Sequence, residues 1–183
     1  MSSAGSFDLF IKFSCIGLLL SASQLCSCRN GIETDDISKV EVEQRLTEAN
    51  KVLVQKERKE IQDFISRHHF NMDSTGTGLR YSIYFKGNGE TPKPHDAVVL
   101  AYKVWYLSGE QVYDVNGSDP DTARLSEGQL INGIEEALYK MPEGSRARLV
   151  IPAHLAYGMI GDEKKIPGAT PLYYDLQLLR INP

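Results

Sequence analysis

The side chains in this sequence that could do chemistry are mostly apolar and phenolic rather than nucleophilic. There is no Gly-x-Ser-x-Gly elbow, no Gly-rich phosphate loop ending in Lys-Ser or Lys-Thr, and no His-Glu-x-x-His helix. His154 follows a predicted strand by two residues, but Cys15, Cys26 and Cys28, the only thiols, all lie in the first 28 residues. What recurs near strand ends and loops is Tyr102, Tyr113, Leu130, Ile131, Ile134, Tyr157 and Tyr174. Such residues exclude water and hold a ligand by shape. Taken singly, most of them could equally be ordinary core residues. Tyr157 differs, because Ala156 and Gly158 give it a loop setting that favours exposure.

The elements that must position these residues are legible in the pattern. From about Ile37 to His68 the composition is helical, without Gly or Pro, and Val42, Leu46, Ala49 and Leu53 recur at three- and four-residue steps. Ile61, Phe64 and Ile65 resume that stripe after Glu57 and Glu60 interrupt it, which leaves two helices or a bend open. The stretch reads as a stalk or a cap on the domain, with a dimer or partner contact as the sharper alternative. His68 and His69 point to different faces and read as helix-end residues, not metal ligands. Asp73 to Gly78 is a turn-rich joint. Short strands follow over residues 79–85, 97–107, 146–151 and 172–181, with a short helix over 134–140 between Gly133 and Pro142. Antiparallel strands with one helix on a sheet face make an α+β domain.

The order of motifs resembles the FKBP family of prolyl isomerases. Gly78-Leu79-Arg80-Tyr81, Gly87-Asn88-Gly89, Ala101-Tyr102, Gly109 and Tyr113-Asp114 stand in the family's order. Leu130-Ile131-Asn132-Gly133-Ile134-Glu135-Glu136-Ala137-Leu138, with Met141 and Gly144, is similar to its helix signal. Ile151-Pro152, Ala156-Tyr157-Gly158, Ile166-Pro167 and Leu172 to Leu176 complete a resemblance that spans about residues 78–182. It implies an FKBP-like antiparallel β-sheet wrapped around a short helix over 78–183, preceded by a helical extension over 37–77.

The resemblance also implies roles. Tyr102, Tyr113 and Tyr174 would wall a proline pocket lined by Leu130, Ile131 and Ile134. The Ile131 backbone N–H would bind a substrate carbonyl, and the Tyr157 hydroxyl would donate to the amide oxygen before the proline. Asp114 would sit beside the rotating carbonyl and orient Tyr102 or the substrate, or else merely cap a turn. The implied activity is peptidyl-prolyl cis–trans isomerisation, with neither cofactor nor metal. Amide resonance sets the barrier of about 18–20 kcal/mol, and resonance separates charge, so a dry cavity disfavours the planar form. The sequence departs from the family in four places. Ile134 stands where Trp is common, and residues 119–123 lack an aromatic. One extra residue precedes Tyr113, and the loop Gly161 to Lys165 is charged. These departures argue against macrolide inhibition and for reduced activity.

The net charge of −4 disfavours a nucleic-acid role. Residues 1–27, with Lys12 before the apolar run Phe13 to Leu20, read as a signal peptide too short to span a bilayer. Leu25-Cys26-Ser27-Cys28 resembles a lipobox that would lipidate Cys28, with simple cleavage as the alternative, and 28–36 would be a tether. Two acyl chains would anchor stably. With the helical preface, this resembles FKBP-like lipoproteins of Bacteroidetes. The expectation is a lipid-anchored protein of the cell envelope, periplasmic or surface-facing, acting on proline-containing exported polypeptides. The alternative is an FKBP-like chaperone or assembly lipoprotein with little isomerase activity.

Overall fold

The computed structural model describes residues 39–182. The expected signal peptide (1–27), Cys28 and the tether (28–36) lie outside the described residues.

With neither Gly nor Pro to break it, the chain forms one continuous 29-residue helix, α1 (Lys39–Arg67), where the sequence left two helices or a bend open. Its first eighteen residues, 39–56, are all exposed, and Ile61, Phe64 and Ile65 alone are buried. No helix among the described residues is long and apolar enough to cross a membrane. The end of α1 is a Schellman turn: Phe70 donates to the Ile65 carbonyl at 3.1 Å and His69 to Ser66 at 3.2 Å. His69 takes the left-handed position (φ 52°), and Phe70 folds back on Phe64 at 6.1 Å between ring centres. The adjacent histidines thus end a helix.

Seven antiparallel strands follow: β1 (Asp73–Ser74), β2 (Arg80–Phe85), β3 (Ala97–Tyr106), β4 (Gln111–Val115), β5 (Asp121–Arg124), β6 (Arg146–Ile151) and β7 (Leu172–Asn182). They run in the order β1-β2-β6-β7-β3-β4, and β5 shares β3 with β4: Val98 pairs with Ala123, Tyr102 with Val115. Strands β1, β4 and β5 are absent from the sequence reading. A second helix, α2 (Asn132–Leu138), lies against one face, and a 3-10 turn (Ala153–Leu155) follows β6.

Alternation along β7 gives the two faces different partners. Leu172, Tyr174, Leu176 and Leu178 are buried in the main core with Ile134, Ala137 and Leu138 of α2. Tyr173 faces the other way, where Ile61, Phe64 and Ile65 of α1 cover Val150 and Leu107. The helix approaches the sheet closely because position 133 is glycine. A Cβ there would stand 2.4 Å from Ile151 Cγ2, far inside contact distance.

Candidate functional site

Leu130 and Ile131 close the loop before α2, and the loop's own hydrogen bonds set their position. Arg124 N–H donates to Gln129 Oε1 at 2.8 Å and Ser126 N–H to Glu135 Oε1 at 2.7 Å. Ile131 is extended (φ −67°, ψ 145°) and its carbonyl accepts the Ile134 and Glu135 amides at 3.0 and 3.2 Å, starting α2. Its own N–H donates to no acceptor among the described residues. That leaves a donor at the loop's edge.

Tyr102 comes from β3, Tyr113 from β4, Tyr174 from β7 and Tyr157 from the segment after the 3-10 turn. Tyr102, Tyr113, Tyr157, Leu130 and Ile131 are half-buried and pack on the same core cluster that contains Tyr174 and Ile134. The Tyr102 and Tyr174 rings lie 5.9 Å apart, tilted by 47°. Tyr174 and Ile134 are 1% and 4% exposed and lie within that core, while the other five are half-buried. The apolar residues singled out from the sequence therefore belong to the main core or pack against it.

Tyr102, Tyr113 and Tyr174 are held neutral. Burial raises the Tyr174 pKa, helped by interaction with the Tyr157 hydroxyl. Burial likewise raises that of Tyr102, with the Asp121 carboxylate second. Tyr113 is pushed up to about 12, first by its hydrogen bond to Asp162 and then by burial. Each therefore keeps its proton at ordinary pH.

Asp114 does not join the group. Strand alternation puts it on the opposite side of β4 from Tyr113, where Lys103 Nζ pairs with it at 3.0 Å and Gln111 Nε2 donates to it at 3.3 Å. The carboxylate that receives the Tyr102 hydroxyl is Asp121, at 3.1 Å. Sequence reasoning missed it because residues 119–123 stand out there only for lacking an aromatic.

It also missed how the charged loop after Tyr157 is held. Asp162 Oδ1 accepts the amides of Lys164, Lys165 and Ile166 at 3.0, 2.9 and 2.7 Å, while its other oxygen accepts the Tyr113 hydroxyl. Its pKa is lowered to about 2: desolvation pushes it up, but the Tyr113 bond and the three amides outweigh that. The Tyr106 hydroxyl donates to the Lys165 carbonyl, and Lys165 Nζ donates to the Val112 carbonyl at 3.2 Å. Three latches thus tie residues 162–166 to β3 and β4. Among the described residues no cluster of three or more His, Cys, Asp or Glu could hold a metal ion.

The fold is thus an antiparallel sheet packed on one short helix, with Tyr102, Tyr113, Tyr157 and Tyr174 in or against its main core. Residues 88–179 match the FKBP-type peptidyl-prolyl cis-trans isomerase family, and the chain belongs to that family. It is 35% identical over 114 residues to the FKBP-type peptidyl-prolyl cis-trans isomerase FkpA of Escherichia coli K12, across 60% of this chain and 40% of that one. It is 33% identical over 107 residues to a peptidyl-prolyl cis-trans isomerase of Schizosaccharomyces pombe, across 57% of this chain and 96% of the relative. The fold matches the crystal structure of E. coli FkpA with a TM-score of 0.63 at 29% identity, covering 81% of this chain and 75% of that one. A Pseudomonas syringae pv. tomato isomerase structure matches with a TM-score of 0.62 at 25% identity, covering 73% and 96%. The match to FkpA thus spans about 40% of that relative's length.

Proposed function

We propose that this chain is a peptidyl-prolyl cis–trans isomerase for exported proteins. This reading is supported by the FKBP family match, by Tyr102, Tyr113, Tyr157 and Tyr174 lying close enough to influence one another, and by Leu130 and Ile131 packing on the same core. Rotation about an X-Pro bond must leave the planar, charge-separated form, which water stabilises. Packed against these apolar walls, the imide loses that support, and the twisted form is favoured by shape. On this reading the Tyr157 hydroxyl donates to the carbonyl oxygen before the proline and the Ile131 N–H to a neighbouring carbonyl. Tyr102, Tyr113 and Leu130 are the walls, and Tyr174 with Ile134 the floor. Asp121 takes the orienting part expected of Asp114, since it accepts the Tyr102 hydroxyl. A rate gain of about 10⁴ asks for only about 5.5 kcal/mol of differential binding. A protease-coupled assay with X-Pro tetrapeptides tests the reading. Exchange faster than the uncatalysed rate supports it; exchange at that rate rejects it.

The place of action on this reading is the cell envelope, with diacylated Cys28 as anchor. Labelled fatty acid should enter the protein and should be lost in Cys28→Ala; labelling that persists in that variant rejects the anchor.

A second reading, a chaperone or assembly factor with little isomerase activity, is favoured by one observation. The free part of α1 exposes Val40, Val42, Leu46, Val52, Leu53 and Val54, a surface suited to a partner or a second copy. Sedimentation of the full chain against one with Leu46→Glu and Leu53→Glu separates a self-associating helix from a bare stalk.

A further inference from the structure

Glu57 reads in the sequence as an interruption of the α1 stripe, yet it is half-buried in a stretch that is otherwise exposed up to Ile61. Its Oε1 accepts the backbone N–H of Ala153 at 2.6 Å. Ala153 is buried and opens the 3-10 turn after β6, where the preceding Pro152 supplies no side-chain cap. Glu57 therefore caps, from another element, a donor that the turn itself leaves unpaired.

The other end of the same residue holds the segment of Tyr157. The Ala153 carbonyl accepts the Ala156 N–H at 3.0 Å and the Gly158 N–H at 2.8 Å. These are the residues on either side of Tyr157. The helix that carries Glu57 is itself fixed one turn later, where Ile61, Phe64 and Ile65 pack on Val150 and Leu107. A hydrogen-bonded path thus runs from α1 through one residue to both neighbours of the phenol. We infer that Glu57 is a positioning residue for Tyr157, so that the helical extension is part of the machinery that orients the hydroxyl. This rests on the isomerase reading above. It also gives the free half of α1 a mechanical connection to the site through Ala153.

Full-length Glu57→Ala and Glu57→Gln test this. Gln keeps an oxygen acceptor and should retain activity; Ala removes it. In Glu57→Ala, kcat should fall about ten-fold with little change in KM, equivalent to about 1.4 kcal/mol of transition-state stabilisation. Amide hydrogen exchange should quicken at Ala156 and Gly158 while Leu176, in the centre of β7, keeps its protection. Parental kcat and parental exchange at Gly158 in Glu57→Ala would overturn the inference. So would a rise in KM alone, or loss of protection at Leu176 together with Gly158, which marks general unfolding. If the parent chain accelerates no isomerisation, the isomerase reading fails by itself. Exchange at Gly158 then still decides whether Glu57 holds the Tyr157 segment.

Discussion

Tyr113 on β4 donates its hydroxyl to the carboxylate of Asp162, and the same carboxylate caps three successive amides of the loop behind Tyr157. Tyr113 and the loop over residues 162–166 are therefore a single hydrogen-bonded unit. Asp162→Ala removes both functions, whereas Tyr113→Phe removes only the link between them. The alanine variant should lose more activity and should expose the loop to proteolysis between Gly161 and Ile166; Tyr113→Phe should keep the loop resistant. Limited proteolysis beside kinetics checks both.

The latch has a defined pH window. Because the folded pKa of Asp162 lies at about 2, below an ordinary carboxylate value of about 3.9, its stabilisation is fully present above the latter. It is lost as pH falls through about 2. Proteolysis of the loop by an acid-active protease should rise between about pH 4 and pH 2, and Asp162→Asn should remove that dependence.

At the alkaline end the sign reverses. A phenol whose folded pKa is raised above about 10 contributes stability below that value and loses it as pH climbs through the folded pKa. Tyr84, hydrogen-bonded to Asp175 at 2.7 Å, is pushed to about 12, first by burial and then by that bond. Tyr113 is pushed to about 12 as well. Phenolate absorbance at pH 11 should fall short of the value for nine free tyrosines and should jump on denaturation. Full ionisation of the folded protein at that pH contradicts the packing described for this group.

Two packing changes separate what holds the domain from what does not. Gly133→Ala drives a methyl into Ile151 and should cost about 1–3 kcal/mol of stability. Phe64→Ala empties the α1 contact with Tyr173, where the rings lie 5.3 Å apart, and should cost about 3–5 kcal/mol. Deleting residues 39–54, which are exposed, should leave the unfolding free energy from urea denaturation within about 0.5 kcal/mol of the parent.

The long strands and α2 were legible because alternation and β-branched runs mark β2, β3, β6 and β7 strongly. β5 was not. Asp121-Thr122-Ala123-Arg124 has no strand character of its own and is extended because β3 runs past β4 and offers it a free edge. The aromatic and aliphatic members of the site were legible from their order along the chain. The carboxylates that serve them were not, since Asp121, Glu57 and Glu135 act on residues remote from them in the chain, and Asp162, besides capping its own loop, reaches back to Tyr113. Asp114 shows the converse: it pairs with Lys103 and not with Tyr102. Being next to Tyr113 in sequence puts it on the other face of the strand.

The most direct test of the central claim is cis–trans exchange of an X-Pro tetrapeptide followed by NMR, with the parent chain, Tyr157→Phe and Tyr102→Ala at equal concentration. The parent should accelerate exchange above the peptide alone. Tyr157→Phe should lose about ten-fold in kcat/KM, as expected for one hydrogen bond made in the transition state. Tyr102→Ala should lose more, because it opens the wall and frees Asp121. Equal acceleration by all three proteins, or none by the parent, would contradict the assignment of this tyrosine-lined group as the place where the bond is twisted.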